Sequence, residues 1–178
     1  MKKYFLILCA ISFLALGGVD GVAFWNQGSI AEAAAPGAQK AHPKGIWVRI
    51  VKDKFQLQLM DGEKTLHTYP IAVGKNTGNK QKTGDLRTPE GHFSVRQIQN
   101  ATAWTHDFRD GKGVIAGAYG PWFIRLKTDP WNGIGIHGTH DPASIGTRAS
   151  EGCIRMHNSD LETLKKKIKP GTPVVIEP

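Results

Sequence analysis

The sequence predicts a mainly β domain carrying a single helix near its C-terminal end. Three observations lead there. The 178 residues include 21 glycines and 10 prolines, which punctuate the chain with turns and suit strands better than a helical bundle. Phe55-Gln56-Leu57-Gln58-Leu59 alternates apolar and polar side chains, the period of a half-buried strand. Only the segment beginning near Ser159 combines helical periodicity with start and stop signals. Apolar residues make up 40% of the chain, enough for a core, and the composition excludes a disordered or collagen-like protein. The length fits one compact domain once a targeting segment is set aside.

Taken in order, residues 1–36 read as a signal peptide or an N-terminal membrane anchor. Lys2 and Lys3 precede an apolar run from Tyr4 to Val19, and Ala31-Glu32-Ala33-Ala34-Ala35 supplies a small-residue cleavage zone. The gap between run and zone is longer than usual for a cleaved signal. The run is near the lower length limit for a spanning helix, so both readings stand. Cys9 lies too early for lipidation and follows the bulky Leu8. Residues 37–44 are a linker, and 45–178 form the domain.

Within the domain, Ile46 to Val51 is a strand, Asp53-Lys54 a turn, and Phe55 to Leu59 a second strand closed by the hairpin signal Asp61-Gly62. Thr65 to Val73 continues as a strand, with Pro70 marking an edge or bulge. A Gly/Asn/Lys-rich loop, 74–91, leads into a strand at His92 to Arg96. Residues 97–120 carry Trp104, Phe108 and Tyr119 without clear periodicity and read as a long loop, either lid-like or a packed excursion. Trp122 to Leu126 and Ile134-Gly135-Ile136 are further strands, the second running into His137. Ser159 and Glu162 have capping-box spacing, with Asn158 as an alternative cap. Leu161, Leu164 and Ile168 share one helix face, and Lys165 to Lys167 a solvated one. Pro170-Gly171 stops the helix before a closing strand at Val174 to Ile176.

The net charge is +8, and loss of residues 1–36 leaves it unchanged, because Lys2 and Lys3 depart with Asp20 and Glu32. Such a domain is drawn to anionic surfaces, wall polymer or phospholipid headgroups among them. Nucleic acid is not expected, since no basic helix or aromatic RNA-binding motif is present.

The domain holds one cysteine, Cys153. In an exported chain an unpaired cysteine is either a reactive thiol or a small buried apolar residue. Its surroundings favour reactivity. A cysteine nucleophile needs a base or cation nearby, and His137, at the end of an apolar strand, is the best candidate. Gly138 lets backbone approach so that a carbonyl orients the imidazole. Gly152 frees the backbone before Cys153, where amides form an oxyanion region. Arg155, two residues on, suits bidentate binding of a substrate carboxylate. His92, His106, His140 and His157 are expected at the polar surface, and Asp141-Pro142 in a turn. The competing reading is zinc held by His137, His140, Cys153 and His157, but no familiar ligand spacing is met. No metal and no cofactor are expected.

His137-Gly138-Thr139, Gly146 and Ser150-Glu151-Gly152-Cys153-Ile154-Arg155-Met156 together resemble the signature of the YkuD-type L,D-transpeptidases. Thr88-Pro89-Glu90-Gly91-His92-Phe93 and the terminal Pro-Gly-Thr-Pro-Val-Val-Ile resemble flanking elements of that family. The resemblance covers roughly residues 45–178. It implies a β-sandwich with mixed sheets and a cysteine under a lid. It further implies that Cys153 attacks a peptidoglycan stem tetrapeptide after its third residue, with loss of D-alanine. His137 would activate the thiol and protonate the leaving amine, with the Gly138 carbonyl orienting it. Arg155, Ser150 and Thr139 are the implied substrate-binding positions. The partners implied are stem peptides or a wall-attached protein, reached in the periplasm or cell wall, with membrane contact only through the N-terminal segment. Glu151 departs from several relatives, which carry His there. An acidic group beside the thiolate would raise its pKa. Two other readings are an L,D-carboxypeptidase, with water as acceptor, and a non-catalytic wall-binding domain of the same fold.

Overall fold

In the computed structural model the described residues are 42–178, Asp110 excepted. The expected leader and residues 37–41 of the linker lie outside them. The elements in chain order are β1 (Ile46–Val51), β2 (Gln56–Asp61), β3 (Lys64–Gly74), β4 (Gly91–Asn100), β5 (Thr105–Asp107), β6 (Val114–Ala116), β7 (Trp122–Lys127), β8 (Gly135–His137), β9 (Arg148–Ser150), β10 (Ile154–Met156), helix α1 (Asn158–Lys165) and β11 (Pro173–Glu177). The domain is mainly β with one helix, as the punctuation and periodicity predict.

The main sheet runs β10-β8-β7-β4-β11-β1-β2-β3-β9, and β10 also pairs with β3. The sheet therefore closes on itself, so the expected sandwich takes the form of a barrel-like curl. It is mixed: β1–β11, β10–β8 and β3–β9 are parallel, the remaining pairs antiparallel. Its inside is filled by alternate strand residues, among them Val48, Ile50, Leu57, Ile71, Ile124 and Met156. Leu161 and Leu164 of α1 are fully buried in the same core. Burying such side chains is the main source of stability, each worth about 1.5–3 kcal/mol. Trp47, Met60 and Val175 form a second cluster. Neighbouring residues of β1 thus belong to two clusters, which is why it reads apolar almost throughout.

Several local expectations shift. Lys52–Lys54 forms a 3-10 turn, so Phe55 lies in a left-handed conformation (φ 51°) and β2 starts at Gln56. Pro70 marks where β3 leaves β2: Gln56 is opposite Pro70, and two residues on Ala72 is opposite Arg155. The Ser159–Glu162 capping box does not form. The helix starts one residue earlier, His157 is its N-cap without a side-chain bond, and Glu162 instead accepts the indole N–H of Trp122 at 2.6 Å. Residues 97–120 are not one long loop. Residues 97–100 extend β4, and β5 and β6 pair as a hairpin with His106 opposite Ile115. The loop between β3 and β4 is organised by Asp85, whose carboxylate takes N–H groups from Gln81, Lys82 and Arg87 and the Lys80 ammonium at 2.8 Å.

Candidate active site

Strand register assembles the site. On β7 and β8, Phe123 faces His137 and Arg125 faces Gly135. On β8 and β10, His137 faces Arg155 and Ile136 faces Ile154. One step back along that register puts Cys153 opposite Gly135. Side chains opposite one another share a sheet face. Cys153, Gly135 and Arg125 therefore make one row, and Arg155, His137 and Phe123 the adjacent row. A methyl on Gly135 would drive into the Phe123 ring, so glycine is required there.

Cys153 is half-buried and opens on a cleft of about 630 Å³, lined also by Trp104, His106, Tyr119, Arg125 and Glu151. Its thiol donates to the Gly133 carbonyl at 3.3 Å. Burial pushes the thiol pKa up; the Gly135 N–H, Arg155 and Arg125 oppose this, and Glu151 adds to it. His137 is 2% exposed. Burial pushes its pKa down to about 3, against the Gly138 carbonyl and reinforced by Arg155, His106 and His140. The pair is therefore thiol and neutral imidazole near neutral pH. The imidazole Nδ1 lies 2.6 Å from the Gly138 carbonyl. A carbonyl only accepts, so Nδ1 carries the hydrogen and Nε2 keeps the lone pair a base needs.

The turn after β8 is held by α1. The Thr139 N–H donates to Asn158 Oδ1 at 2.9 Å, and a side chain on Gly138 would overlap that same oxygen. The cysteine segment is held from within. Ser150 Oγ donates to the Cys153 carbonyl at 2.5 Å and accepts the Gly152 N–H at 3.1 Å. Gly152 has φ 130°, and a side chain there would meet the Arg87 carbonyl.

The β5–β6 hairpin and its flanks border this face. Trp104, His106 and Phe108 alternate inward. Phe108 lies against the guanidinium of Arg155 at 4.9 Å and stacks on His140 at 5.3 Å. Tyr119 meets His137 edge-on at 4.9 Å, and Phe123 stacks on it at 5.5 Å, 7° from parallel.

A family model described as the YkuD L,D-transpeptidase catalytic domain matches residues 44–176. This chain belongs to the L,D-transpeptidase catalytic domain family. A protein of Bacillus licheniformis bearing the L,D-transpeptidase name YkuD is 34% identical over 122 residues, 68% of this chain and 59% of that protein. The chain thus spans about three-fifths of that relative. A second, bearing the L,D-transpeptidase name YqjB in Bacillus subtilis, is 33% identical over 75% of this chain and 72% of its own. The solved catalytic domain of the E. faecium L,D-transpeptidase superposes with a TM-score of 0.57 at 22% identity, covering 76% of this chain and 99% of that one.

Within the L,D-transpeptidase fold, the structure brings Cys153, His137, Gly138 and Arg155 to one face. Other expected site residues are placed differently. Thr139 and Ser150 are buried, and their hydroxyls bond protein backbone, Thr139 to the Asp141 carbonyl and Ser150 to that of Cys153. These bonds brace the turn after β8 and the segment before Cys153. The Gly152 N–H donates to Ser150 Oγ, and the residue's φ of 130° is one that favours glycine. Arg155 is 5% exposed, under Phe108, and its Nε is buried without a hydrogen-bond partner. Of the histidines expected at the surface, His92 and His140 are exposed, whereas His106 is half-buried in the cleft wall. Among the described residues no three His, Cys, Asp or Glu side chains converge as a metal site. His106, Tyr119, Arg125 and Asn158 are the site residues that the sequence reading did not single out. The alternation Trp104-x-His106-x-Phe108 is the signal that marks the first of them.

Proposed function

We propose that this domain is an L,D-transpeptidase that uses Cys153 as its nucleophile. The observation that carries it is the thiol on a cleft beside a neutral His137 whose tautomer is set by the Gly138 carbonyl. In the proposed reaction Nε2 of His137 takes the thiol proton as sulfur bonds to the carbonyl carbon of the third residue of a stem tetrapeptide. The C–N bond to D-alanine then breaks, and His137 returns the proton to the leaving amine. An acceptor amine, from another stem peptide or a wall-attached protein, attacks the thioester, gives its proton to His137 and releases the thiol. Arg125 lies in the row of the thiol and Arg155 in the adjacent row, and both favour negative charge on sulfur. The neutral resting pair supports general-base activation during attack over a standing thiolate. We place the enzyme in the cell envelope on the basis of its apolar, lysine-led N-terminal segment.

The test is incubation of the protein with disaccharide-tetrapeptide and mass analysis of the products. A 3-3 linked dimer with released D-alanine is expected. Tripeptide alone would reassign the acceptor to water. The Cys153→Ala variant is expected to give neither product, and a turning-over variant would refute the nucleophile.

A further inference from the structure

The carboxylate beside the nucleophile is paired across the cleft. Glu151 Oε2 lies 3.0 Å from His106 Nε2, joining segments 45 residues apart in sequence. The other ring nitrogen of His106 is 3.0 Å from the Tyr119 hydroxyl. Burial and the charges of Cys153 and Glu151 raise the Tyr119 pKa, so it is a phenol that donates to Nδ1. That leaves Nε2–H to donate to Glu151, and the ring is satisfied on both sides. Tyr119 in turn touches His137, and Phe108, which packs on the His106 ring at 4.5 Å, touches Arg155. His106 is thus the point where the hairpin, the cysteine segment and the second catalytic row are joined.

We propose that His106 and Glu151 are a positioning pair that seats the β5–β6 hairpin on the Cys153 segment and so keeps Tyr119 over His137. This rests on the reading of Cys153 and His137 as the catalytic pair. Neither residue touches the reacting atoms in this role. The pair sets how closely the cleft wall fits around the thiol. It also gives the Glu151 charge a hydrogen-bond donor, which lessens its repulsion of the developing thiolate.

Two effects of removing His106 have opposite signs, which makes the idea testable on the full chain. Freed from His106, Glu151 disfavours the thiolate more strongly, so electrostatics alone predicts slower alkylation of Cys153. A loosened hairpin exposes the thiol and predicts faster alkylation. We expect His106→Ala to raise the iodoacetamide rate about five-fold and to raise KM for disaccharide-tetrapeptide, a change equivalent to a coupling within the range of contacting residues. His106→Gln, which keeps an N–H donor and an oxygen acceptor, should restore both toward parental values. In the double variant with Glu151→Ala the alkylation effect should be no larger than that of the greater single. A parental or slower rate in His106→Ala, failure of Gln to rescue, or effects that multiply would overturn the pairing. Parental protein that turns over tetrapeptide while the pairing fails sinks this inference alone. Parental protein that alkylates at Cys153 but gives neither dimer nor tripeptide sinks the proposed function instead.

Discussion

His137 is kept neutral by burial on β8, with its pKa near 3 instead of the ordinary 6.5. The same burial that keeps the ring neutral makes the fold sensitive to acid. The unfolded chain protonates this histidine as pH falls through 6.5, whereas the folded chain resists until about 3. Between those values the unfolded state binds the extra proton, so stability falls as pH falls. From pH 7 to pH 4 the contribution lost is on the order of 3 kcal/mol. A His137→Gln variant should therefore lose less stability than the parent over that interval, read from urea unfolding at both pH values. Equal losses would show that the ring is not held neutral. Asp85 carries the same sign, its folded-state pKa also lying below the ordinary value. Burial acts to raise its pKa, but N–H groups of Gln81, Lys82 and Arg87 and the Lys80 ammonium outweigh that and hold the carboxyl far below the usual range. Its contribution to the loop lining the cleft persists until strong acid.

At the scale of elements, the site is made by short strands that have little stability of their own. β8, β9 and β10 have three residues each, and every one is held by partners distant in sequence. The turn between β9 and β10 carries Cys153 and depends on one hydroxyl, since Ser150 serves both the Gly152 N–H and the Cys153 carbonyl. Ser150→Ala leaves two backbone groups without that partner in a buried setting, which costs about 1–3 kcal/mol. Reduced urea stability together with reduced turnover is the expected outcome. A variant with parental stability and raised KM alone would mean that Ser150 contacts substrate. The helix shows how tertiary partners override local signals. Glu162 has capping-box spacing from Ser159, but the indole of Trp122 claims its carboxylate, and Asn158 is drawn to the Thr139 amide. Both interactions tie α1 to the elements that carry the candidate site.

For the whole molecule, closure of the sheet is the step that completes the site. β10 pairs with β8 on one side and β3 on the other, so the segment that bears Cys153 joins the two ends of the curl. Met156, fully buried on β10, fills the core at that junction. Met156→Ala should cost about 2–5 kcal/mol in urea unfolding. It should also slow turnover although it lies three residues from Cys153 and carries no reactive group. Parental turnover in the folded variant would show that closure of the curl and catalytic geometry are uncoupled.

Local patterning along the chain specifies the mainly β class, the order of the longer strands, the single helix and the placing of His137 at a strand end. Each is a matter of local period, turn chemistry or a residue type that few other roles need. It also isolated the segment from His137 to Arg155, because a lone thiol, a histidine and clustered glycines are a rare combination. What lay beyond it were effects of register and packing. β9 and β10 are too short for periodicity to show. The hairpin at 105–116 hid behind unremarkable turn residues, although Trp104, His106 and Phe108 alternate as a strand should. The hydrogen bonds of Ser150, Gly152 and Thr139 are also beyond local pattern, since they depend on how the turns around β8 and β10 fold back on themselves. Only the closed sheet could decide that His106 meets Glu151 and that Asn158 supports Gly138. Those contacts span 45 and about 20 residues of chain, and the free energy that selects them comes from burying the whole core, not from any local preference.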